Sequence, residues 1–314
     1  GQVHRARLKS GEEVVVKIIK ADHKKKFKKD VFRMKRWLKI LILFSPKLRK
    51  VGNPIALLNH VEDYTLRELN LNNEIKGGHK LKKIQSELAE EFPMPRLKFP
   101  EYWENLSNED VLVSEFIEGK TLEEGIRNQS LEWDYLIELF RIHGAYMFGV
   151  GTFHGDLHPG NCIIDKDGNF VFIDNGAICD APRNISLSLF NFFENLSKNN
   201  KEFAFESLLN LAGSRPPEKK VNRFKQNMKS IYDGFEDKSV GEQSLTEVMM
   251  KTVRAAVEDA GADFGEEAFP IIRSLMYMDG LVIRTHPDVK LILEMRPSLN
   301  EFREGLGLGK EVKA

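Results

Sequence analysis

Short runs suited to β-strands, separated by turn residues, open the chain. Residues 3–8 and 13–19 form two such runs, and Lys-Ser-Gly-Glu lies between them at residues 9–12. Runs of this length around a glycine-containing turn predict a β-hairpin. A third run, at residues 111–113, leads into an acidic segment that ends at Gly119, which predicts a strand followed by a turn. We expect these strands to form a small antiparallel sheet.

Helical spacing dominates the remaining chain. Between about residues 22 and 84 it predicts a helical insert in the sheet, interrupted by prolines near residues 45–46 and 52–54. The segments predicted after Gly119 are a short acidic helix at 122–127, a longer amphipathic helix at 133–150, and a mainly helical remainder with loops near 213–217 and 233–243.

Length and composition fit one globular catalytic unit. With 314 residues, 41% hydrophobic and 30% charged, the chain has the composition of a soluble protein with a substantial core. We expect an α+β fold with two lobes: an N-lobe at residues 1–118, with the sheet and the helical insert, and a mainly helical C-lobe at residues 119–314. Two cysteines are too few for a disulfide framework, and no apolar run approaches the ~18–20 residues of a membrane-spanning helix. These features predict a cytoplasmic protein.

Positive charge is concentrated near the N-terminus, where residues 1–50 hold seventeen Lys and Arg against four Asp and Glu. Residues 24–39 add apolar side chains at three- and four-residue spacing, which predicts an amphipathic basic helix. Either this helix packs on the lobe with a solvated face, or it contacts an anionic membrane surface as a peripheral anchor. Nucleic acid is not an expected partner, because no base-stacking motif accompanies the charge. The apolar positions are Phe27, Val31, Met34, Leu38 and Leu41.

Two spaced polar motifs carry the candidate chemistry. Residues 154–161 read His-Gly-Asp-Leu-His-Pro-Gly-Asn, and residues 173–176 read Ile-Asp-Asn-Gly. Four residues separate Asp156 from Asn161, as in the catalytic loop of protein kinases. Asp156 would orient or deprotonate an attacking hydroxyl or position a water. Asn161 would hold one Mg²⁺, and Asp174 would bridge the other to the phosphates of ATP. A tight surface turn would explain either motif alone, but it does not explain both in this order.

An upstream lysine completes the predicted nucleotide site. Lys17 ends the sequence Val-Val-Val-Lys in a predicted strand, as does the kinase lysine that grips the α- and β-phosphates. Its acidic partner would come from the helical stretch at about residues 56–84. The candidates there are Glu62, Glu68 and Glu74.

A hinge between the two lobes is predicted at residues 111–119. There a short apolar strand runs into an acidic turn that ends in glycine. The backbone from Glu115 to Ile117 would pair with the edge of an adenine, and Ser114 would lie beside the base. By itself this segment indicates only a strand and a turn, but its order relative to Lys17 and Asp156 favours the hinge.

With these residues in place, the chain resembles the UbiB family of atypical kinase-like proteins, which support ubiquinone and other isoprenoid-lipid metabolism. Residues 1–6, Gly-Gln-Val-His-Arg-Ala, look like the end of the family's Ser-Ile-Gly-Gln-Val-His-x-Ala stretch. Residues 153–161 match its Phe-His-x-Asp-x-His-Pro-Gly-Asn at every fixed position. Residues 278–288 resemble the family's C-terminal Glu-Gly-x-x-x-x-Leu-Asp-Pro pattern.

The resemblance implies a two-lobed protein-kinase-like fold that uses ATP and Mg²⁺. It places Gln2 and Val3 at the nucleotide, beside a loop that is alanine-rich rather than glycine-rich in this family. Residues 68–74 are similar to the family's Glu-Leu-Asp-x-x-x-Glu segment, which makes Glu74 the expected partner of Lys17. An isoprenoid lipid is an implied partner.

Three departures from the family pattern bear on activity. Asn70 stands where the Glu-x-Asp motif has its second acid, and Asn175 replaces the packing phenylalanine of Asp-Phe-Gly. The family's N-terminal extension, with its Lys-x-Gly-Gln motif, is missing. Because the chain opens at Gly1 inside a predicted strand and without an initiator methionine, we expect it to be a fragment of a longer protein.

The leading hypothesis is an ATP-binding, Mg²⁺-dependent atypical kinase or ATPase of UbiB type. A small-molecule phosphotransferase of the aminoglycoside or choline kinase kind is an alternative, because its catalytic loop also reads His-Gly-Asp-x-His-x-x-Asn. A pseudokinase that binds nucleotide and serves as a scaffold is a second alternative. Asn70 and Asn175 favour the pseudokinase, whereas Lys17, Asp156 and Asp174 favour an enzyme.

Overall fold

A computed structural model describes residues 1–20, 22–44, 55, 58–59, 62, 65–67, 69–212, 216–262, 264 and 268–308 of the protein. The chain forms two compact units. The first comprises Gly1–Lys80, Phe99–Glu118 and Phe172–Ala177, and the second comprises Leu81–Lys98, Gly119–Val171 and Ile178–Ala314. Helices and strands both occur, which confirms the predicted α+β class. The division into lobes at residues 1–118 and 119–314 stays a prediction, and the two units are interleaved along the chain.

The described elements are short strands and helices of varied length. The strands are β1 (Gln2–Arg7), β2 (Glu13–Ile18), β3 (Leu97–Lys98), β4 (Val111–Glu115), β5 (Gly119–Thr121), β6 (Thr152–His154), β7 (Cys162–Asp165), β8 (Phe170–Phe172) and β9 (Ile178–Asp180). The helices are α1 (Asp22–Phe44), α2 (Asn72–Glu87), α3 (Leu122–Arg127), α4 (Trp133–Gly144), α5 (Arg183–Ser197), α6 (Lys201–Leu209), α7 (Glu218–Ile231), α8 (Leu245–Ala255), α9 (Ala268–Thr285), α10 (Leu291–Glu294) and α11 (Arg296–Gly305). None of these described helices combines the length and apolarity needed to cross a membrane.

The first unit is built on an antiparallel sheet with the strand order β1-β2-β4. β1 and β2 form the predicted hairpin, whose turn has Gly11 at φ +110°, a conformation that glycine adopts readily and other residues rarely do. Lys17 on β2 lies opposite Val3 on β1 and Leu112 on β4. The hairpin prediction is confirmed, with every strand end within one residue of the expected position.

A small apolar core joins α2 to this sheet. Leu71 and Ile75 are buried together with Ile19 and Leu112, and Tyr102 packs against the same cluster. These contacts remove apolar surface from water, which is the main force that holds a helix on a sheet. They also fix the first turn of α2, which carries Glu74, the acid predicted to face Lys17.

The predicted helical stretch at residues 56–84 needs correction, because residues 69–71 are not helical and α2 begins at Asn72. The cause is Asn70, whose side-chain oxygen accepts a hydrogen bond from the N–H of Asn72 at 3.2 Å. An amide in this position satisfies a backbone donor that the helix start would leave open. The interruptions predicted near residues 45–46 and 52–54 lie outside the described residues.

The apolar stripe predicted on α1 is partly wrong, although the helix itself is confirmed at Asp22–Phe44. Val31 is buried, but Met34 and Leu41 are more than half exposed. Lys24, seven residues before Val31 and therefore on the same face, points inward and bonds Asp110 Oδ1 at 3.0 Å. Part of the packed face of α1 is thus charged, and apolar side chains remain on the outer face.

The second unit contains a four-stranded sheet, β3-β8-β7-β5, a strand pair, β6-β9, and most of the helices. α4 continues into a π-helical segment, Ala145–Val150, that ends at Gly151 with φ +85°. A Cβ at Gly151 would lie 2.6 Å from the carbonyl oxygen of Ala181, so only glycine fits this turn. The turn leads into β6, which ends at His154 and so delivers the polar motif of residues 154–161.

The C-terminal motif at residues 278–288 has a structural role in the second unit. Asp279 is buried, and its carboxylate accepts the N–H of Leu245 at 3.1 Å and that of Thr246 at 2.8 Å. These bonds satisfy open donors at the N-terminus of α8, where a negative charge is also favoured by the helix dipole.

Candidate functional site

Lys17 lies between two carboxylates in the first unit. Its Nζ is 2.8 Å from Glu74 Oε2 and 2.6 Å from Asp174 Oδ2. Burial alone would lower the pKa of Lys17, but the two carboxylates outweigh burial and raise this pKa above its ordinary value. Lys17 is therefore a cation at neutral pH, which is the charge state that contact with phosphate oxygens requires.

Glu74 is the buried member of this group. Only 4% of its side chain is exposed, because the first turn of α2 is packed on the sheet. Burial, reinforced by the second carboxylate at Lys17, raises the pKa of Glu74 to about 7, and the attraction of Lys17 offsets part of this rise. Of the other two candidate acids, Glu62 contacts Lys35 and Glu68 lies outside the described residues.

Asp174 follows the end of β8 by two residues. The strand β8, Phe170–Phe172, leads the chain into the Asp-Asn-Gly turn. The Oδ1 of Asp174 faces the N–H of Gly176 at 3.4 Å, while Oδ2 contacts Lys17. The side chain is 39% exposed. A partly exposed carboxylate is the kind of hard oxygen ligand that Mg²⁺ prefers.

Asn175 is fully buried beside Asp174. Its Nδ2 donates to the hydroxyl of Tyr102 at 3.1 Å and to the carbonyl of Phe172 at 2.8 Å. Its Oδ1 has no hydrogen-bond partner among the described residues. A buried acceptor without a partner costs about 1–3 kcal/mol. Sequence reasoning treated Asn175 only as a departure from the family and missed Tyr102 altogether.

The expected hinge residues lie at and just beyond the end of β4. Ser114 is half-buried and Glu115 is exposed. The N–H groups of Glu115 and Phe116 donate to carbonyls in the same unit, at 2.9 and 3.2 Å. These two donors are engaged, and pairing of the backbone from Glu115 to Ile117 with an adenine edge stays a prediction.

Gln2 and Val3 lie on β1, at the exposed edge of the sheet. Val3 is opposite Lys17 in the register, so the two side chains emerge on the same face. Val3 is 65% exposed. The structure therefore brings Val3 alongside Lys17, and contact of Gln2 and Val3 with a nucleotide stays a prediction.

Asp156 and Asn161 meet in the second unit. Asn161 Nδ2 donates to the main-chain oxygen of Asp156 at 3.0 Å and lies 3.4 Å from Asp156 Oδ2. The N–H of Asp156 donates to Nδ1 of the buried His154 at 3.2 Å. Both Asp156 and Asn161 are half-buried. Because Asn161 engages Asp156 through its nitrogen, its side-chain oxygen is the atom suited to a metal.

Two residues that the sequence analysis did not single out support this loop. Arg273 on α9 donates its Nε to the carbonyl of Gly155 at 2.8 Å. His158 Nδ1 accepts the N–H of Gly160 at 3.1 Å and so caps the short 3₁₀ turn Pro159–Asn161. The position of His158 in the motif hints at this role, whereas no local pattern connects Arg273 with the loop.

Each unit by itself offers one oxygen ligand of a kind that Mg²⁺ takes. Asp174 in the first unit has a carboxylate, and Asn161 in the second has an amide oxygen. Among the described residues, no group of three or more His, Cys, Asp or Glu side chains is arranged to hold a metal ion.

Comparison with known proteins identifies the family. The family model described as the ABC1 atypical kinase-like domain matches residues 1–208, which is about two thirds of the 314 residues. The chain belongs to this family. Membership confirms the kinase-like fold and the expected resemblance to UbiB proteins.

Curated relatives of this chain carry the name Probable protein kinase UbiB. The protein from Sodalis glossinidius (strain morsitans) is 25% identical over all of this chain and 57% of its own length. That from Vibrio atlanticus (strain LGP32) is 27% identical over 96% of this chain and 55% of its own length. The chain therefore spans a little more than half the length of the curated relatives it matches.

A solved structure shares the fold. It is described as the complex structure of Rv3197-erythromycin from Mycobacterium tuberculosis, and it covers 92% of this chain and 75% of its own with a TM-score of 0.57. At 20% sequence identity the likeness concerns the fold alone.

Proposed function

We propose that this chain is an ATP-binding, Mg²⁺-dependent atypical kinase or ATPase of UbiB type. The observation that carries the proposal is the placement of Lys17 between Glu74 and Asp174. A lysine kept positive beside a carboxylate suited to Mg²⁺ is the pair of groups that kinases use on nucleotide phosphates. Membership of the ABC1 family supports the same assignment.

Each polar residue has a separate task in this proposal. Lys17 binds the α- and β-phosphates, and Glu74 holds the ammonium group of Lys17 in place. Asn161 would hold one Mg²⁺ and Asp174 the other, and Mg²⁺, when bound, would neutralise charge on the phosphates. Asp156 orients the attacking hydroxyl or water and accepts its proton.

The adenine end of the nucleotide would be recognised by the strand end after β4. The backbone of Glu115 to Ile117 pairs with the base edge, chiefly through Ile117, and Ser114 lies beside the base. Gln2 and Val3 cover the phosphates from β1. The same-face placement of Val3 and Lys17 supports this arrangement.

We place the reaction in isoprenoid-quinone or related lipid metabolism, on the basis of family membership. The acceptor is a hydroxyl of a protein, a small molecule or a lipid, or it is water. The protein would be cytoplasmic and would bind an anionic membrane surface peripherally. The outer face of α1 supports the membrane binding. That face carries lysines at positions 25, 26, 28 and 29, together with Phe32 and Trp37, each 67% exposed.

A nucleotide-binding pseudokinase scaffold is the second candidate function. Asn175 favours it, because the amide stands at the position of the phenylalanine in Asp-Phe-Gly. The two functions differ in one measurable product, since a pseudokinase binds ATP without releasing phosphate. Transfer of phosphate to choline or an aminoglycoside without lipid would favour the small-molecule phosphotransferase.

Binding of ATP with Mg²⁺ and with EDTA, followed by phosphate release with and without anionic vesicles, tests the proposal. We expect Mg²⁺ to tighten ATP binding in the wild type and not in Asp174→Asn. Asp110→Asn is the matched control, because Asp110 also bonds a lysine and is 34% exposed, close to Asp174. An undiminished Mg²⁺ effect in Asp174→Asn would refute the metal assignment, and a wild type that binds no nucleotide would refute the function.

A further inference from the structure

Asn175 belongs to a closed set of contacts that the proposed function does not use. The residue is fully buried at the position where Asp-Phe-Gly has an apolar side chain, and its Oδ1 has no hydrogen-bond partner among the described residues. Instead, Asn175 directs its Nδ2 at the hydroxyl of Tyr102, 3.1 Å away. A buried polar residue that breaks a packing rule beside a metal ligand indicates a functional role.

Tyr102 reaches Asn175 only because α2 carries a glycine at the contact. A Cβ added at Gly78 would lie 2.6 Å from the Tyr102 hydroxyl oxygen and 2.8 Å from the ring. The main chain of Tyr102 also bridges to Ser114 on β4. The tyrosine is therefore fixed at two points, by its backbone on the sheet and by its ring against α2.

The same helix holds the acidic partner of Lys17. Glu74 precedes Gly78 by four residues, so both lie on one face of α2. One side of α2 thus contacts Lys17 through Glu74 and admits Tyr102 at Gly78. Tyr102 in turn bonds Asn175, the neighbour of Asp174. Asp174 contacts Lys17, so these contacts form a closed ring.

We propose that Asn175 and Tyr102 are positioning residues for Asp174. Their hydrogen bond ties the Asp-Asn-Gly turn to α2, so that Asp174 keeps its orientation when it exchanges Lys17 for the metal of a bound nucleotide. A directional hydrogen bond replaces the aromatic packing that a phenylalanine would supply. This inference rests on the proposed nucleotide function. It adds two residues that determine how strongly Mg²⁺ tightens ATP binding.

Two conservative variants test the inference. Tyr102→Phe removes the hydroxyl and keeps the ring, and Asn175→Leu removes the amide and keeps similar volume. We expect each to reduce the Mg²⁺-dependent tightening of ATP binding about fivefold, the equivalent of one hydrogen bond, while ATP affinity in EDTA changes less than about twofold. The double variant should match the single ones, because both remove the same bond.

Stability provides the readout that separates positioning from a merely structural role. Asn175→Leu removes an acceptor that has no partner, which stabilises the protein, and also the two bonds that Nδ2 donates to Tyr102 and Phe172, which costs stability. The two effects offset each other, so the melting temperature should change little while the Mg²⁺ response falls. A structural role predicts that both fall together. Tyr232→Phe is the matched control, since it deletes a buried hydroxyl whose bond to Thr252 Oγ1 is also 3.1 Å, and it should leave the Mg²⁺ response unchanged.

A helix-glycine pair extends the test to α2. Gly78→Ala forces the Tyr102 ring to move and should reduce the Mg²⁺ response, whereas Gly280→Ala, with nothing within 4 Å of the added Cβ, should not. If the wild type responds to Mg²⁺ and both Tyr102→Phe and Asn175→Leu respond equally well, the positioning role is wrong while the proposed function stands. A wild type that shows no Mg²⁺-dependent binding overturns the proposed function, and this inference with it.

Discussion

Two lysines in the first unit each sit between two carboxylates, yet their surroundings differ. Lys17 contacts Glu74 and Asp174, and Lys24 contacts Glu109 and Asp110. The lysine side chains are almost equally exposed, at 26% and 21%. The acidic side chains differ in exposure, because 4% of the Glu74 side chain is exposed against 63% of the Glu109 side chain.

This difference shows how burial turns a common charge pattern into a binding site. Each group has one positive and two negative side chains, so each carries one net negative charge when fully ionised. Around Lys24, water and salt screen the excess charge, and the contacts serve to hold α1 on the unit. Around Lys17 the buried carboxylate is screened far less, so the group favours an added cation such as Mg²⁺.

The largest effect should come from removing each lysine in turn. We expect Lys17→Ala to lower the free energy of unfolding by about 3 kcal/mol, because it leaves Glu74 buried without its partner. Lys24→Ala should lower it by less than about 1 kcal/mol, as for an exposed ion pair. Urea unfolding of the wild type and the two variants measures these losses. Equal losses of stability in the two variants would contradict the proposed difference between the two lysines.

A double-mutant cycle sharpens the same contrast. Once Lys17 is absent, removing Glu74 should cost little more, because the two residues act as a pair. Fully additive losses for Lys17→Ala and Glu74→Ala would show that the ion pair contributes nothing to stability. The corresponding cycle for Lys24 and Glu109 is the control and should give a coupling energy near zero.

The pH dependence of stability is the next effect in size. Because the pKa of Glu74 is raised to about 7 in the folded protein, the folded state binds a proton that the unfolded state has released above the ordinary value of 4.5. The stability from this proton is fully present below pH 4.5 and is lost as the pH rises through 7, by up to about 1.4 kcal/mol per pH unit. Glu74→Gln should flatten the pH profile of unfolding between these values. A wild-type slope in Glu74→Gln would contradict the assignment.

The smallest expected effect per substituted residue is on the binding of α1 to anionic membranes. Each lysine near an anionic surface contributes on the order of 1 kcal/mol, and this attraction fades as salt shortens the Debye length below about 8–10 Å. We expect co-sedimentation with anionic vesicles at low salt, less at high salt, and a marked loss when lysines 25, 26, 28 and 29 become glutamine. Equal binding to neutral vesicles, or no loss of binding in the variant, would show that the outer face of α1 is only solvated and does not bind membranes.

Local sequence patterns predicted the parts of the fold that depend on neighbouring residues. The hairpin followed from the glycine turn at Gly11, and the helix at residues 122–127 is present as Leu122–Arg127, started by the reciprocal hydrogen bonds of Thr121 and Glu124. The spacing of Asp156 and Asn161 likewise predicted a loop in which the two side chains meet.

Contacts between distant segments could not be predicted in this way. The bond between Tyr102 and Asn175 depends on the absence of a side chain at Gly78, which no periodic pattern reveals. The inward turn of Lys24 depends on acids that lie far along the chain, so the polar and apolar pattern of α1 alone misplaced its packed face. Glu74 was chosen from three acids by family resemblance, since helical spacing did not distinguish it.

ATP affinity in the presence of Mg²⁺, measured by calorimetry for wild type, Lys17→Ala and Lys24→Ala, tests the central claim most directly. A charge-assisted contact contributes about 1.5–3 kcal/mol, so Lys17→Ala should weaken binding by about tenfold or more. Lys24→Ala, which removes a similarly exposed lysine from an equally charged group, should bind ATP as the wild type does. Equal affinities in all three proteins would contradict the account, because the buried group at Lys17 would then have no part in holding the nucleotide.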